Sequence, residues 1–165
     1  MNHICYISIG SNLGDRIANC EAAILELTSF ATLIKVSSFY ETEPWGYEDD
    51  HYYLNAVIKL HTSFEPKVFL SNIQNIEKKM GRQKNSEIIG YQARIIDLDI
   101  LYFDRIIYET DNLIIPHPKL YSRKYVLQPL LEIAPQFICP LKGQTILSIF
   151  KKCQDRHQIS LYMKK

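Results

Sequence analysis

The sequence predicts an α+β fold, an antiparallel sheet carrying helices, with elements in the order βαββαβ followed by an appended C-terminal region. Three observations carry that expectation. Short apolar runs rich in β-branched and aromatic residues alternate with segments of helical period. Gly, Pro, Asn and Asp punctuate the joins between them. Two strand-like runs in the first half follow one another with a loop, and no helix, between them.

The elements follow in order. Ile4 to Ile9 is a short isoleucine-rich run closed by Gly10-Ser11-Asn12, the pattern of a buried strand and its turn. Asp15 or Asn12 caps a helix to about Thr28, where Ile17, Ala18, Cys20, Ala23, Ile24 and Leu27 recur at helical spacing. Leu33 to Phe39 reads as a second strand. Glu41 to Asp50 reads as a loop with five acidic residues and no basic one; it holds Pro44, Gly46 and Trp45, the only tryptophan. Tyr52 to Leu60 alternates, with Tyr53, Asn55, Val57 and Lys59 on one face and Leu54, Ala56, Ile58 and Leu60 on the other. Ser63 or Glu65, with Pro66, opens a helix to about Lys79 whose apolar set is Val68, Phe69, Ile73 and Ile76.

Gly81 to Ala93 reads as a second loop. The stretch from Glu77 to Arg94 holds five basic and two acidic side chains, a surplus of three positive charges. Ile95 to Phe103 is a strand, Ile106 to Tyr108 and Leu113 to Ile115 are short ones, and Tyr125 to Ile133 and Ile146 to Cys153 are helical. The whole is a sandwich of the ferredoxin-like kind, in which helices cover one side of the sheet and leave the other face available.

Composition narrows the function. At 165 residues, 47% hydrophobic and 22% charged, the chain fits one globular domain spanning residues 1–165. A net charge of +1 supplies no global field toward nucleic acid or membrane. Cys5, Cys20, Cys139 and Cys153 are scattered, without the close spacing of zinc or redox pairs, and read as free thiols of a reducing compartment. The N-terminus lacks a signal-peptide pattern, and no run approaches the ~20 apolar residues of a membrane span. A monomer in the cytoplasm is expected.

The sharpest chemical feature is Arg94-Ile95-Ile96-Asp97-Leu98-Asp99-Ile100-Leu101. Alternation along a strand puts Asp97 and Asp99 on one side and Ile96, Leu98 and Ile100 on the other. Two like charges on neighbouring same-face positions repel unless a cation lies between them, and magnesium takes carboxylate and phosphate oxygens together. A strand with one solvated acidic face is the alternative. Arg82, Lys84 and Arg94 supply cationic donors beside the pair, and arginine can grip phosphate with two parallel hydrogen bonds. Phosphoryl-type transfer asks mainly for positioning and charge neutralisation, which such a set supplies.

No G-x-x-x-x-G-K-[ST] run occurs, so phosphate binding has no P-loop source, and Gly10-Ser11-Asn12-Leu13-Gly14 reads as a plain strand-to-helix turn. His117, held between Pro116 and Pro118, is either a phosphate contact or proton donor or a turn histidine without a role. Tyr53 and Asn55 share a strand face, and an amide offers the donor and acceptor that a flat heterocycle needs.

Together these stretches resemble the 6-hydroxymethyl-7,8-dihydropterin pyrophosphokinases. The resemblance runs through Ile9-Gly10-Ser11-Asn12-Leu13-Gly14-Asp15-Arg16, Ser37-Ser38-Phe39-Tyr40-Glu41-Thr42-Glu43-Pro44, Tyr53-Leu54-Asn55-Ala56, Ile76-Glu77 and Gly81-Arg82. It continues through Arg94 to Leu101, the most specific stretch, then Pro116-His117-Pro118, Arg123 and Leu127-Gln128-Pro129-Leu130, and weakens after about Pro140. It implies ATP as co-substrate and two magnesium ions held by Asp97 and Asp99. It implies catalytic roles for Arg82, Arg94, Asp97 and Asp99, and contacts from Lys84, His117 and Arg123 to the triphosphate. Gln74, Glu77 and Ile100 would lie near the nucleotide. Thr42, Tyr53, Asn55 and Tyr125, with the backbone of Glu43 and Trp45, would form the pterin pocket, Tyr53 and Tyr125 sandwiching the ring. The hydroxymethyl oxygen would attack the β-phosphorus of ATP, giving AMP and a pterin diphosphate. The Glu41 to Asp50 and Gly81 to Ala93 loops would close over the substrates.

Departures from the family pattern are few. Lys84 stands where some members carry arginine, Tyr125 where phenylalanine is common, and the second loop has no tryptophan, with Ile89 or Tyr91 to fill its place. An RNA-binding module of the same fold would carry a basic sheet face, where this chain has Asp97 and Asp99. A dihydroneopterin aldolase would bind pterin without ATP, which leaves the acidic pair and basic loop unexplained. A homologue that binds and does not turn over is separable by assay.

Overall fold

The computed structural model describes residues 2–43, 52–81 and 94–163. Along the chain run β1 (His3–Ser11), α1 (Arg16–Leu27), β2 (Thr32–Val36), β3 (Tyr40–Thr42), β4 (Tyr53–Thr62), α2 (Pro66–Lys79) and β5 (Asp97–Phe103). After them come β6 (Tyr108–Thr110), β7 (Leu113–Ile115), a 3-10 turn at Leu120–Ser122, α3 (Lys124–Ile133), α4 (Ile146–Lys152) and β8 (Ile159–Leu161). The expected βαββαβ order is present with its second strand divided into β2 and β3. β5, β1, β4, β3 and β8 lie side by side in that order, β2 also pairs with β4, and every pairing is antiparallel.

Local chemistry sets the element ends. The α1 cap is Asp15, whose carboxylate accepts the Ala18 N–H at 3.0 Å. Asn12 instead ties the end of β1 to the entry of β5. Its Oδ1 accepts the Arg94 N–H at 2.6 Å, and its own N–H donates to the Arg94 carbonyl at 3.1 Å. Gly14, at φ 62°, makes the left-handed step between Asn12 and the cap, which a side chain would oppose. α2 starts on Pro66, whose missing N–H costs nothing at that position.

Three expectations need correction. The second strand does not run on to Phe39; it stops at Val36, and the chain re-enters the sheet as β3. Ser37 makes the break: its hydroxyl takes the Val57 N–H at 2.9 Å while its N–H donates to the Val57 carbonyl. A side chain thus replaces main chain in the ladder, and β2 and β3 pair with successive halves of β4. Glu41 and Thr42 are therefore strand residues, not the start of a loop. The short strand expected at Ile106 to Tyr108 is instead Tyr108–Thr110.

The third correction concerns the sheet's second face, which is not left open along its length. One face packs Ile7, Ile9, Leu54, Ile58, Leu60 and Ile100 against α1 and α2. The other packs Tyr6, Val57, Leu101 and Tyr102 against Val126, Leu127 and Leu130 of α3 and Ile146 and Ile149 of α4. Leu101 and Tyr102 share a face because Leu101 is an extra residue: β1 steps from Tyr6 opposite Tyr102 to Ile7 opposite Ile100. α3 lies over the middle of this face, and among the described residues the end bearing Asp97 and Asp99 stays open. Cys5, Cys20 and Cys139 are buried free thiols, and burial pushes Cys5 and Cys20 up to about 12.

Candidate active site

The open end of the second face forms a cleft of about 530 Å³, counting the space open to solvent. Strand register builds its floor. Asp97 of β5 lies opposite Gly10 of β1, Gly10 opposite Asn55 of β4, and Asn55 opposite Tyr40 of β3. In the next same-face row Asp99 lies opposite Ser8, and Ser8 opposite Val57. With strands about 4.8 Å apart, the acidic pair and Asn55 are separated by about 10 Å, with Gly10 between them. A Cβ on Gly10 would stand 3.4 Å from Asn55 Oδ1 and 3.9 Å from the Tyr53 ring, so glycine keeps the floor low where the side chains converge.

The two ends of the cleft differ in chemistry. At one, Asn55 and Thr42 are both buried, 6% and 3% exposed, and Asn55 donates Nδ2–H to the Thr42 hydroxyl at 3.0 Å. That bond orients the amide and leaves its Oδ1 toward the floor beside Gly10. Tyr53 comes from the sheet and Tyr125 from the start of α3, so two aromatic side chains line the space from different layers. At the other end Arg94 donates from Nη1 to Asp97 Oδ1 at 2.7 Å. Arg123 is buried, with its guanidinium 5.8 Å from the centre of the Tyr125 ring, within cation–π range.

Behind the floor, the buried Glu77 of α2 accepts the Leu98 N–H at 2.9 Å and so fixes the strand between the two aspartates. His117 follows β7 through a cis Ile115–Pro116 bond, and its N–H donates to the Leu101 carbonyl at 3.0 Å. Burial, then the positive charges of Arg123 and Lys119, pull its imidazole down to about 4, against the opposing effect of Asp97. The ring is therefore neutral near pH 7. Its Nδ1 accepts the Lys119 N–H at 3.2 Å, which puts the proton on Nε2.

Of the residues singled out from sequence, Thr42, Glu43, Tyr53, Asn55, Asp97, Asp99, Arg123 and Tyr125 line this one cleft. Arg94 joins through Asp97, and Glu77 through the strand it holds. Ile100 points its side chain into the opposite core, so only its main chain faces outward. Gln74 is exposed on α2 and is not among the residues lining the cleft. Trp45, Arg82 and Lys84, like Ile89 and Tyr91, lie outside the described residues. Sequence reading missed Ser8, Ile9, Gly10, Ala56 and Val126 as lining residues. A glycine closing a strand was the available signal for Gly10; the others depend on register and helix placement.

Among the described residues no group of three or more His, Cys, Asp or Glu is arranged to hold a metal. Two same-face carboxylates are nonetheless the donor set that magnesium uses when phosphate oxygens and water complete its octahedron. No helix of the described residues is long and apolar enough to cross a membrane.

Residues 6–135 match the family model described as 7,8-dihydro-6-hydroxymethylpterin-pyrophosphokinase (HPPK). The chain is 45% identical over 138 residues to a 2-amino-4-hydroxy-6-hydroxymethyldihydropteridine pyrophosphokinase of Bacillus subtilis, covering 82% of this chain and 81% of that protein. It is 34% identical to the Haemophilus influenzae protein of the same name, covering 94% and 96%. It also matches the folic acid synthesis protein fol1 of Pneumocystis carinii at 41% identity, spanning 93% of this chain but 20% of that one. In structure it resembles wild-type Plasmodium falciparum HPPK-DHPS, with a TM-score of 0.71 at 17% identity over 92% of this chain and 43% of that chain.

Proposed function

The chain belongs to the 7,8-dihydro-6-hydroxymethylpterin-pyrophosphokinase family, and on that premise we propose that it transfers pyrophosphate from ATP to the hydroxymethyl group of 6-hydroxymethyl-7,8-dihydropterin. The products are AMP and the pterin diphosphate, in folate biosynthesis. One observation carries the reading: the row Asp97, Gly10, Asn55 runs across three adjacent strands, with a carboxylate at one end and an oriented amide at the other.

In this reading the pterin lies over Gly10 between Tyr53 and Tyr125, its polar edge meeting Asn55, Thr42 and the main chain of Glu43 and Trp45. Aromatic faces favour that stacking. The hydroxymethyl group then points along the floor toward Asp97 and Asp99. These aspartates hold magnesium, two ions, which neutralises charge on the phosphate oxygens when bound. Arg82, Lys84, Arg94, His117 and Arg123 grip the triphosphate, with neutral His117 donating from Nε2. Gln74, Glu77 and the main chain at Ile100 border the nucleotide. The hydroxymethyl oxygen forms its bond to the β-phosphorus as the bond from that phosphorus to the bridging oxygen breaks, AMP leaves with that oxygen, and the hydroxyl proton is released to solvent. Held geometry supplies most of the acceleration expected of such a site. The enzyme acts as a single-domain monomer in the cytoplasm.

Product analysis tests this. The protein is incubated with ATP, magnesium and 6-hydroxymethyl-7,8-dihydropterin, and the nucleotide formed is identified. Pterin-dependent AMP is expected. ADP would mean a different bond is broken, and no nucleotide product would leave a binding protein.

A further inference from the structure

We propose that Asp155, in the tail between α4 and β8, is a positioning residue that holds the Arg123–Tyr125 wall of the cleft in place. Helix α3 begins at Lys124, and the first N–H groups of a helix have no partner within it. The residue at its cap position, Arg123, makes no side-chain capping bond. The cap comes instead from 31 residues further on: Asp155 Oδ2 accepts the Lys124 N–H at 2.8 Å. A carboxylate there also meets the positive end of the helix dipole.

Asp155 is itself built into the tail. Its side chain is 3% exposed, and its Oδ1 takes the His157 N–H at 3.1 Å and lies 2.5 Å from the His157 ring nitrogen. Those hydrogen bonds outweigh burial and hold its carboxyl below the usual carboxylate range. Just beyond His157 the chain enters β8, which pairs with β3, the strand carrying Thr42. The capped Lys124 sits between Arg123 and Tyr125, both of which line the cleft. Arginine carries only donors and cannot accept these N–H groups itself, so the acceptor must come from outside, and the Arg123 side chain lines the cleft. The tail lies beyond the residues 6–135 that define the family match.

This inference rests on the proposed pterin site, and its test separates the two. Calorimetric titration with 6-hydroxymethylpterin and amide hydrogen exchange at Lys124 are measured for wild type, Asp155→Ala, Asp155→Asn and Glu132→Ala. Glu132 tethers the far end of α3 through Ser38 and Tyr40, and so controls for general loosening of the helix. Asp155→Ala should bind pterin about tenfold more weakly, the cost of a lost cap, and should exchange the Lys124 amide faster. A flipped amide in Asp155→Asn keeps the Lys124 bond and should recover affinity to within about threefold of wild type. Unchanged pterin affinity in Asp155→Ala, or an equal loss in Glu132→Ala, would overturn the proposal. If Asp155→Ala does not fold, Asp155→Asn decides against Glu132→Ala: exchange and affinity nearer wild type support the proposal, and the reverse refutes it. A wild type that ignores pterin refutes the pterin site alone, and exchange at Lys124 then judges the tether.

Discussion

Lowering the pH singles out His117. Its imidazole sits at about 4 in the folded protein against an ordinary 6.5, chiefly because it is buried and faces Arg123 and Lys119. Above pH 6.5 the ring is neutral in both states, and the folded protein keeps its full stability. As the pH falls from 6.5 toward about 4, the unfolded chain takes up a proton that the folded one refuses, so stability is lost across that window. A tenfold change in proton affinity is worth about 1.4 kcal/mol, so the window amounts to roughly 3 kcal/mol, reduced to about 2 kcal/mol by solvent at a partly exposed ring. Urea unfolding of wild type and His117→Gln at about pH 7.5 and about pH 4.5 measures it. Wild type should lose about 2 kcal/mol more than the variant between the two conditions. Equal losses would refute the reasoning, because they would place the acid-sensitive groups elsewhere.

Asp97→Ala and Asp99→Ala should each lower turnover by on the order of 10²–10³-fold, with far-ultraviolet circular dichroism unchanged; near-normal rates in both would remove the metal assignment. Gly10→Val should fold, since its Cβ has room at 3.4 Å from Asn55, yet raise the KM for pterin by at least about tenfold as its methyls fill the floor. A KM within twofold of wild type would mean that the ligand does not cross Gly10. Asp15→Ala should cost about 1 kcal/mol in thermal or urea unfolding through loss of the α1 cap, and leave turnover unaffected.

Much of the site was legible because it depends on local rules. Alternation along a strand is enough to put Asp97 beside Asp99 and Tyr53 beside Asn55, whatever lies around them. Pro66 and Asp15 mark helix starts by chemistry carried in one or two residues. What the sequence hid is long-range. Nothing local says that Ser37 will put its hydroxyl into the β4 ladder and split one strand into two. Nor does the apolar stripe of α3 say which sheet face it will cover, which is why the second face was expected to be open. β8 is three residues, and its partner β3 lies more than a hundred positions earlier. Asp155 offers no signal at all, since a single aspartate in a tail becomes a helix cap only through the fold.

The hydrogen bonds that Glu77 and His117 make to β5 have one more effect. Among the described residues β5 ends the row of strands, and the outer groups of such a strand invite a foreign strand to add on. Here the Leu98 N–H is occupied by Glu77 and the Leu101 carbonyl by His117. The same two residues that border the proposed nucleotide therefore blunt the margin at which neighbouring molecules would template on one another. At the opposite margin β8 offers three residues, too short a rail for stable docking. Variants of Glu77 or His117 made to probe the chemistry should therefore be checked for self-association before a lost activity is read as a lost contact.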